Sequence, residues 1–211
     1  MKKTSPGEYY HIYNRGMQKQ LIFNDDLDRF RLLFNLFTFQ SKTKIKTINR
    51  KFKQSVQSRT LNISQDLIQS VVKERMVEVV TFCFMPNHFH LIVKEIVDKG
   101  VAKYMQRVLT AYTKYFNTRH GNSGHLFQGP YKAVHIENDE QLMYVSAYIH
   151  KNPVEVKGVT IENYYWSSYQ DYVGDSRWKI LMMPEIILGR YSDTRDTYKK
   201  FVDSCTAKEY L

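Results

Sequence analysis

The sequence offers little sulfur chemistry. Cys83 and Cys205 are the only two cysteines in 211 residues, and they form no CxxC or other paired spacing. A disulfide framework and a thiolate metal cluster are therefore not expected, and a reducing cytoplasm fits. Long apolar runs are also missing: no segment approaches the roughly 18 unbroken apolar residues of a membrane span. The start, MKKTSPGEYYHIYNRG, carries two lysines with no apolar run behind them. Neither export nor a membrane partner is expected. Acidic residues are scarce, with 21 Asp and Glu against 31 Lys and Arg, a formal charge of +10. Such an excess favours a polyanionic partner, nucleic acid first, through long-range attraction and counterion release. It does not distinguish an enzyme from a basic structural protein.

No internal repeat or low-complexity tract interrupts the chain, and its length fits one elaborated domain. The aromatic and β-branched run EYYHIYN at residues 8 to 14, ended by Arg15-Gly16, reads as a strand. Asp25 or Asp26 can cap a helix in which Leu27, Phe30, Leu33, Phe34 and Phe37 recur at helical spacing. Residues 41 to 59 hold seven Lys and Arg and no acid; either a solvated loop or a DNA-touching arm accounts for them. A short helix is expected over residues 65 to 75. VEVVTFCF at 77 to 84 and HFHLIVKE at 88 to 95, separated by Met85-Pro86-Asn87, predict a hairpin. A long amphipathic helix follows over 101 to 119, then a strand over 130 to 137 and a helix running to Asn152-Pro153.

This order, strand, helix, strand, strand, helix, strand, describes an α+β fold: a ferredoxin-like antiparallel sheet with helices on one face, plus C-terminal helical additions. Residues 1 to 174 would form the main domain, with a basic insert near 41 to 76. Residues 175 to 211 would form a helical extension.

The sharpest local feature is His88-Phe89-His90. Side chains two apart on a strand point to the same face, so the two imidazoles can share an ion. Tyr148 and Asn152 are i and i+4, neighbours on one helix face. Taken alone, the histidines could be half-exposed strand residues, Asn152 a helix terminator before Pro153, and Tyr148 one packing tyrosine among 16.

Several blocks, in order, resemble the IS200-like transposase family in its REP-associated branch: YYHIYNRG near the start, MPNHFHLIV at 85 to 93, MQRVLTAYTKYFNTRHGNSGHLFQGPYK at 105 to 132, AYIHKNPV at 147 to 154 and YYWSSYQDY at 164 to 172. The resemblance implies a single-tyrosine transposase of the HUH type. Such an enzyme is a metal-dependent single-strand endonuclease and strand transferase, acting through a 5′-phosphotyrosine on hairpin-containing DNA. It implies His88, His90 and Asn152 as ligands of Mg²⁺ or Mn²⁺ and Tyr148 as the nucleophile. Single-stranded or hairpin DNA is the expected partner, with Arg15, Arg107, Lys114, Phe127, Gln128 and Lys132 as expected contacts. A cytoplasmic, nucleoid-associated protein, monomeric or dimeric, fits. Pro130 departs from the pattern, standing where many relatives carry a basic residue.

His11 could contact DNA, pack, or act as a fourth ligand; Tyr144 is the rival nucleophile; His150 should point away from the Tyr148 face. Two other readings remain open. One is a non-catalytic nucleic-acid binder descended from a transposase. The other is a water-using metallohydrolase or oxygenase, against which stand the neutral amide ligand and the lack of an HExxH or second carboxylate motif.

Overall fold

The computed structural model describes residues 4–43, 52, 64–190 and 194–205. The expectation of a DNA-touching arm within residues 41 to 59 falls mostly outside them. Among the described residues, no helix is long and apolar enough to cross a membrane.

Four strands form one antiparallel sheet in the order β2-β3-β1-β4. They are β1 (Tyr9–Arg15), β2 (Val77–Met85), β3 (His88–Glu95) and β4 (Lys132–Ile136). Strands β2 and β3 meet in a tight hairpin in which Met85 pairs with His88. Four helices matter for the site: α1 (Asp26–Thr38), α2 (Gln65–Lys73), α3 (Gly100–His120) and α4 (Asp139–Lys151). Capping fixes where α1 and α4 begin. The Asp25 side chain accepts from the Asp28 amide at 3.1 Å, and Asn138 accepts from that of Gln141 at 2.8 Å. Each satisfies an amide that the helix itself leaves unpaired.

Strand alternation gives the sheet two unlike faces. One carries Phe82, Phe84, Phe89 and Leu91, all buried, where α1 and α3 pack. Phe37 of α1 meets Phe82 edge-on at 6.2 Å, and Phe127 meets Phe89 at 6.0 Å. This is the expected ferredoxin-like layer. The other face presents His11, Tyr13 and Arg15 from β1 beside His88 and His90 from β3, in the pairs Tyr13 with His90 and Arg15 with His88. Helix α4 lies over this polar face, so helices flank both faces of the sheet and not one face as the element order suggested.

The chain then forms α5 (Tyr169–Val173), α6 (Glu185–Leu188) and α7 (Thr194–Ser204). The segment before α5 covers the free edge of β2: the Phe84 amide donates to the Trp166 carbonyl, and the Ser168 amide to that of Phe82, each at 2.9 Å. Helix α7 packs on α4, with Phe201 against Tyr144 at 5.3 Å. The C-terminal residues thus brace the helix that carries Tyr148.

At the end of β1 the chain reverses over Gly16, where a Cβ would stand 2.2 Å from the Gln20 carbonyl oxygen. Only glycine tolerates that approach. Its amide donates to the Asn87 carbonyl at 2.8 Å, joining the end of β1 to the β2–β3 turn beside His88.

Candidate active site

A cleft of about 420 Å³ opens between α4 and the polar face of the sheet. Helix α4 contributes Gln141, Val145 and Tyr148, continued by Asn152, a stripe at three- and four-residue spacing. His88, His90, His11 and Arg15 face it from the strands. The structure therefore brings the four expected site residues to one place. The Tyr148 ring stands edge-on to that of His90, with centroids 5.5 Å apart.

The hydrogen bonds decide which atoms face the cleft. Asn152 Nδ2 donates to the Tyr148 carbonyl at 2.8 Å. A carbonyl can only accept, so the amide is oriented with Oδ1 turned elsewhere. Asn152 lines the cleft with His88 and His90, so its oxygen is the atom left free to face a ligand there. Asn87 is oriented in the same way: Nδ2 donates to the Lys19 carbonyl at 3.2 Å, leaving Oδ1 to meet His88 Nδ1 at 2.7 Å. His88 must then carry its proton on Nδ1, which leaves Nε2 as a lone-pair donor. His90 Nδ1 is occupied by His11 Nε2 at 2.9 Å.

Burial pushes the imidazole pKa values down and keeps the rings neutral at pH 7. The shift is large for His90, where the neighbouring His11, His88 and Arg15 add to it; His88 is lowered less, and His11 falls to about 4. Two neutral imidazoles and an amide oxygen suit a divalent ion, since such ligands must be unprotonated to bind. Among the described residues no group of three or more His, Cys, Asp or Glu side chains could hold a metal. An ion here would need the amide oxygen as its third protein donor.

Tyr148 is half-buried, and desolvation raises its pKa above the ordinary phenol value despite hydrogen bonding from Asn152. It is protonated at neutral pH, so attack would require a proton acceptor. Glu155, on the turn after α4, is the one carboxylate lining the cleft among the described residues.

The expected DNA contacts separate. Arg15 and Gln128 line the cleft, and exposed Lys132 stands at its rim beside Tyr13. Lys114 lies in a neighbouring shallow groove that also includes Gln128. Phe127 is only 8% exposed and packs into the apolar core, so its ring is not free to stack on a base. Arg107, on α3 behind the sheet, donates to the carbonyls of Ser41 and Thr43, with its guanidinium 4.8 Å from the Phe39 ring. It secures the start of the basic segment rather than the cleft. Tyr144 packs on Phe201 and does not line the cleft. His150 points away from it, as expected, into a buried network.

Sequence reasoning missed Glu155 and assigned Asn87 only to the turn. The adjacency of Asn87 to His88 was the available signal. His11 bonds to the His90 ring, a role not among those foreseen for it.

The family model described as "Transposase IS200 like" matches residues 36–152. A solved structure described as "Structure of the REP associates tyrosine transposase bound to a REP hairpin" is similar at 15% identity over 82% of this chain and 82% of that chain, with a TM-score of 0.49. No curated protein matches the chain.

Proposed function

Because the chain belongs to the IS200-like transposase family, we propose that its cleft is the centre of a metal-dependent single-strand DNA endonuclease and strand transferase working through a 5′-phosphotyrosine. One observation carries the reading: a half-buried phenol, Tyr148, faces two neutral imidazoles and an oriented amide across one cleft.

His88 Nε2, His90 Nε2 and Asn152 Oδ1 would hold Mg²⁺ or Mn²⁺. Bound there, the ion would draw charge from a non-bridging phosphate oxygen of the scissile group. Arg15 and Lys132 supply positive charge along the approach and position the strand. The Tyr148 oxygen attacks phosphorus as its proton passes to Glu155, directly or through water. The bond from phosphorus to the leaving 3′ oxygen breaks, that oxygen gains a proton, and the 5′ phosphate remains on Tyr148. Attack by another 3′-OH reverses the exchange and rejoins DNA without a nucleotide cofactor. A water-using nuclease cannot do this, because hydrolysis discards the phosphodiester bond.

Unstacked bases present edges and faces that a paired stem hides. The favoured substrate is therefore a hairpin with a single-stranded flank. The test is incubation of the protein with flanked hairpins and blunt duplexes in Mg²⁺ or Mn²⁺, followed by denaturing electrophoresis. A covalent protein–DNA adduct on the flanked hairpin is expected. Cleavage without an adduct, or equal cleavage of the duplex, would overturn the reading.

A further inference from the structure

Each strand histidine has its Nδ1 engaged by a neighbour outside the ligand set, which leaves Nε2 as the other ring nitrogen. For His88 the neighbour is Asn87, whose amide is oriented by the Lys19 carbonyl and so accepts from His88 Nδ1. For His90 it is His11, with an Nε2 to Nδ1 distance of 2.9 Å. The His11 and His90 rings are inclined by only 22° with centroids 5.1 Å apart. The two rings are therefore close to parallel while their facing nitrogens are in contact. The 2.9 Å N···N separation lies within hydrogen-bond range.

The register explains the pairing. His90 lies opposite Tyr13 and His11 opposite Ile92 on adjacent strands, so His11 and His90 are diagonal neighbours on one face, within reach of two long side chains. Both are nearly enclosed, His11 at 4% and His90 at 6% exposure, so neither Nδ1 of His90 nor Nε2 of His11 can readily exchange its partner for water.

We propose that His11 and Asn87 are positioning residues: they hold His90 and His88 as Nδ1–H tautomers, so that both Nε2 lone pairs are preset toward one divalent ion. A free neutral imidazole can carry its proton on either nitrogen, and a ligand in the wrong form must shift it before binding. His11 accepts the His90 proton on Nε2 and therefore keeps its own on Nδ1. Such outer partners typically change metal affinity by about 10- to 100-fold. The inference rests on the ligand set given under Proposed function.

Two measurements keep the two apart. The first is long-range ¹H–¹⁵N correlation on the metal-free full-length protein, with histidines assigned through His11→Gln, His11→Leu and single replacements of the others. His88 and His90 are expected as Nδ1–H tautomers in the native protein. In His11→Leu, His90 should lose that preference. His11→Gln, whose side-chain oxygen can still accept, should keep it. A native His90 protonated on Nε2 overturns the inference whatever the metal does.

The second is Mn²⁺ binding followed by loss of the free-ion electron paramagnetic resonance signal. His11→Leu should bind roughly 10- to 100-fold more weakly and His11→Gln within a few-fold of native. Unfolding of each metal-free variant reports whether the core has been disturbed. If native protein binds Mn²⁺ and His11→Leu binds equally well, the positioning role is wrong. If native protein fails to bind Mn²⁺, the proposed ligand set is wrong, and the tautomer result still decides the role of His11.

Discussion

The Tyr198 hydroxyl lies 2.7 Å from His150 Nδ1, joining the last described helix to the helix that carries Tyr148. The other His150 nitrogen, Nε2, meets Ser168 Oγ at 2.8 Å, and Ser168 Oγ accepts from the Phe82 amide of β2 at 2.9 Å. Tyr198 also meets Ser146 Oγ at 3.0 Å, and Lys151 donates to the Cys205 carbonyl at 2.8 Å beyond the end of α7. Helix α4 is thereby tied to both the sheet and the C-terminal segment, on the side opposite its cleft stripe. An attacking phenol must be held close to its target, and these bonds fix the helix that holds it.

Replacing Tyr198 with Phe removes one hydroxyl and leaves a buried His150 nitrogen without a partner. Because Tyr198 is fully buried, water cannot compensate, and a cost of about 1 to 3 kcal/mol is expected. The urea midpoint should fall with the slope of the transition unchanged. A midpoint equal to that of the native protein would show that the bond contributes nothing.

His150 also sets a pH dependence. Burial lowers its pKa from the ordinary 6.5 to about 3. Between those values the unfolded chain binds a proton that the native chain refuses, so stability present at pH 7 is lost as pH falls from 6.5 toward 3. One proton corresponds to a slope of about 1.4 kcal/mol per pH unit. His150→Gln, which does not titrate, should show a stability curve flatter than native by up to that amount across the window. Parallel curves from pH 6 to pH 4 would exclude the effect.

The strand histidines and the Tyr148–Asn152 pair were legible in the sequence because strands and helices have fixed periods: two apart on β3 and four apart on α4 place side chains together whatever surrounds them. Long-range partners follow no such rule. Ser168 and Tyr198 lie 18 and 48 residues beyond His150, and the β1–β3 register sets His11 against His90. Phe127 shows the same limit. A loop aromatic flanked by Leu126 and Gln128 can face solvent or core, and here the neighbours Phe89 and Tyr112 decide for the core.

His88→Ala and His90→Ala should each abolish Mg²⁺- or Mn²⁺-dependent cleavage while most DNA affinity remains, because affinity rests mainly on phosphate contacts made by basic side chains. Cleavage is read by electrophoresis and affinity by fluorescence anisotropy on the same flanked hairpin. Normal cutting by both variants would remove the two imidazoles from the ligand set.

The last prediction is that Tyr148, and no other tyrosine, becomes joined to a DNA 5′ phosphate. Geometry separates it from its rivals. A nucleophile must come within about 3 to 3.5 Å of phosphorus while the same phosphate is held by the donor set. Tyr148 lines the cleft next to His90 and Asn152. Tyr144, one turn earlier on α4, lies against Phe201 of α7. Tyr115 is on α3 behind the sheet, its ring beneath the Arg31 guanidinium at 5.1 Å, and its hydroxyl is buried. The Tyr131 hydroxyl is buried as well. Bringing any of these three oxygens to the cleft would require repacking the elements around it. Tyr148→Phe removes the hydroxyl of a half-buried ring whose packing against His90 and His11 is retained, so folding and hairpin binding should persist. Adduct formation and strand transfer should fall below detection. Peptide mapping of the trapped adduct by mass spectrometry gives the answer directly, and a nucleotide found on Tyr144, or an active Tyr148→Phe protein, would reassign the nucleophile.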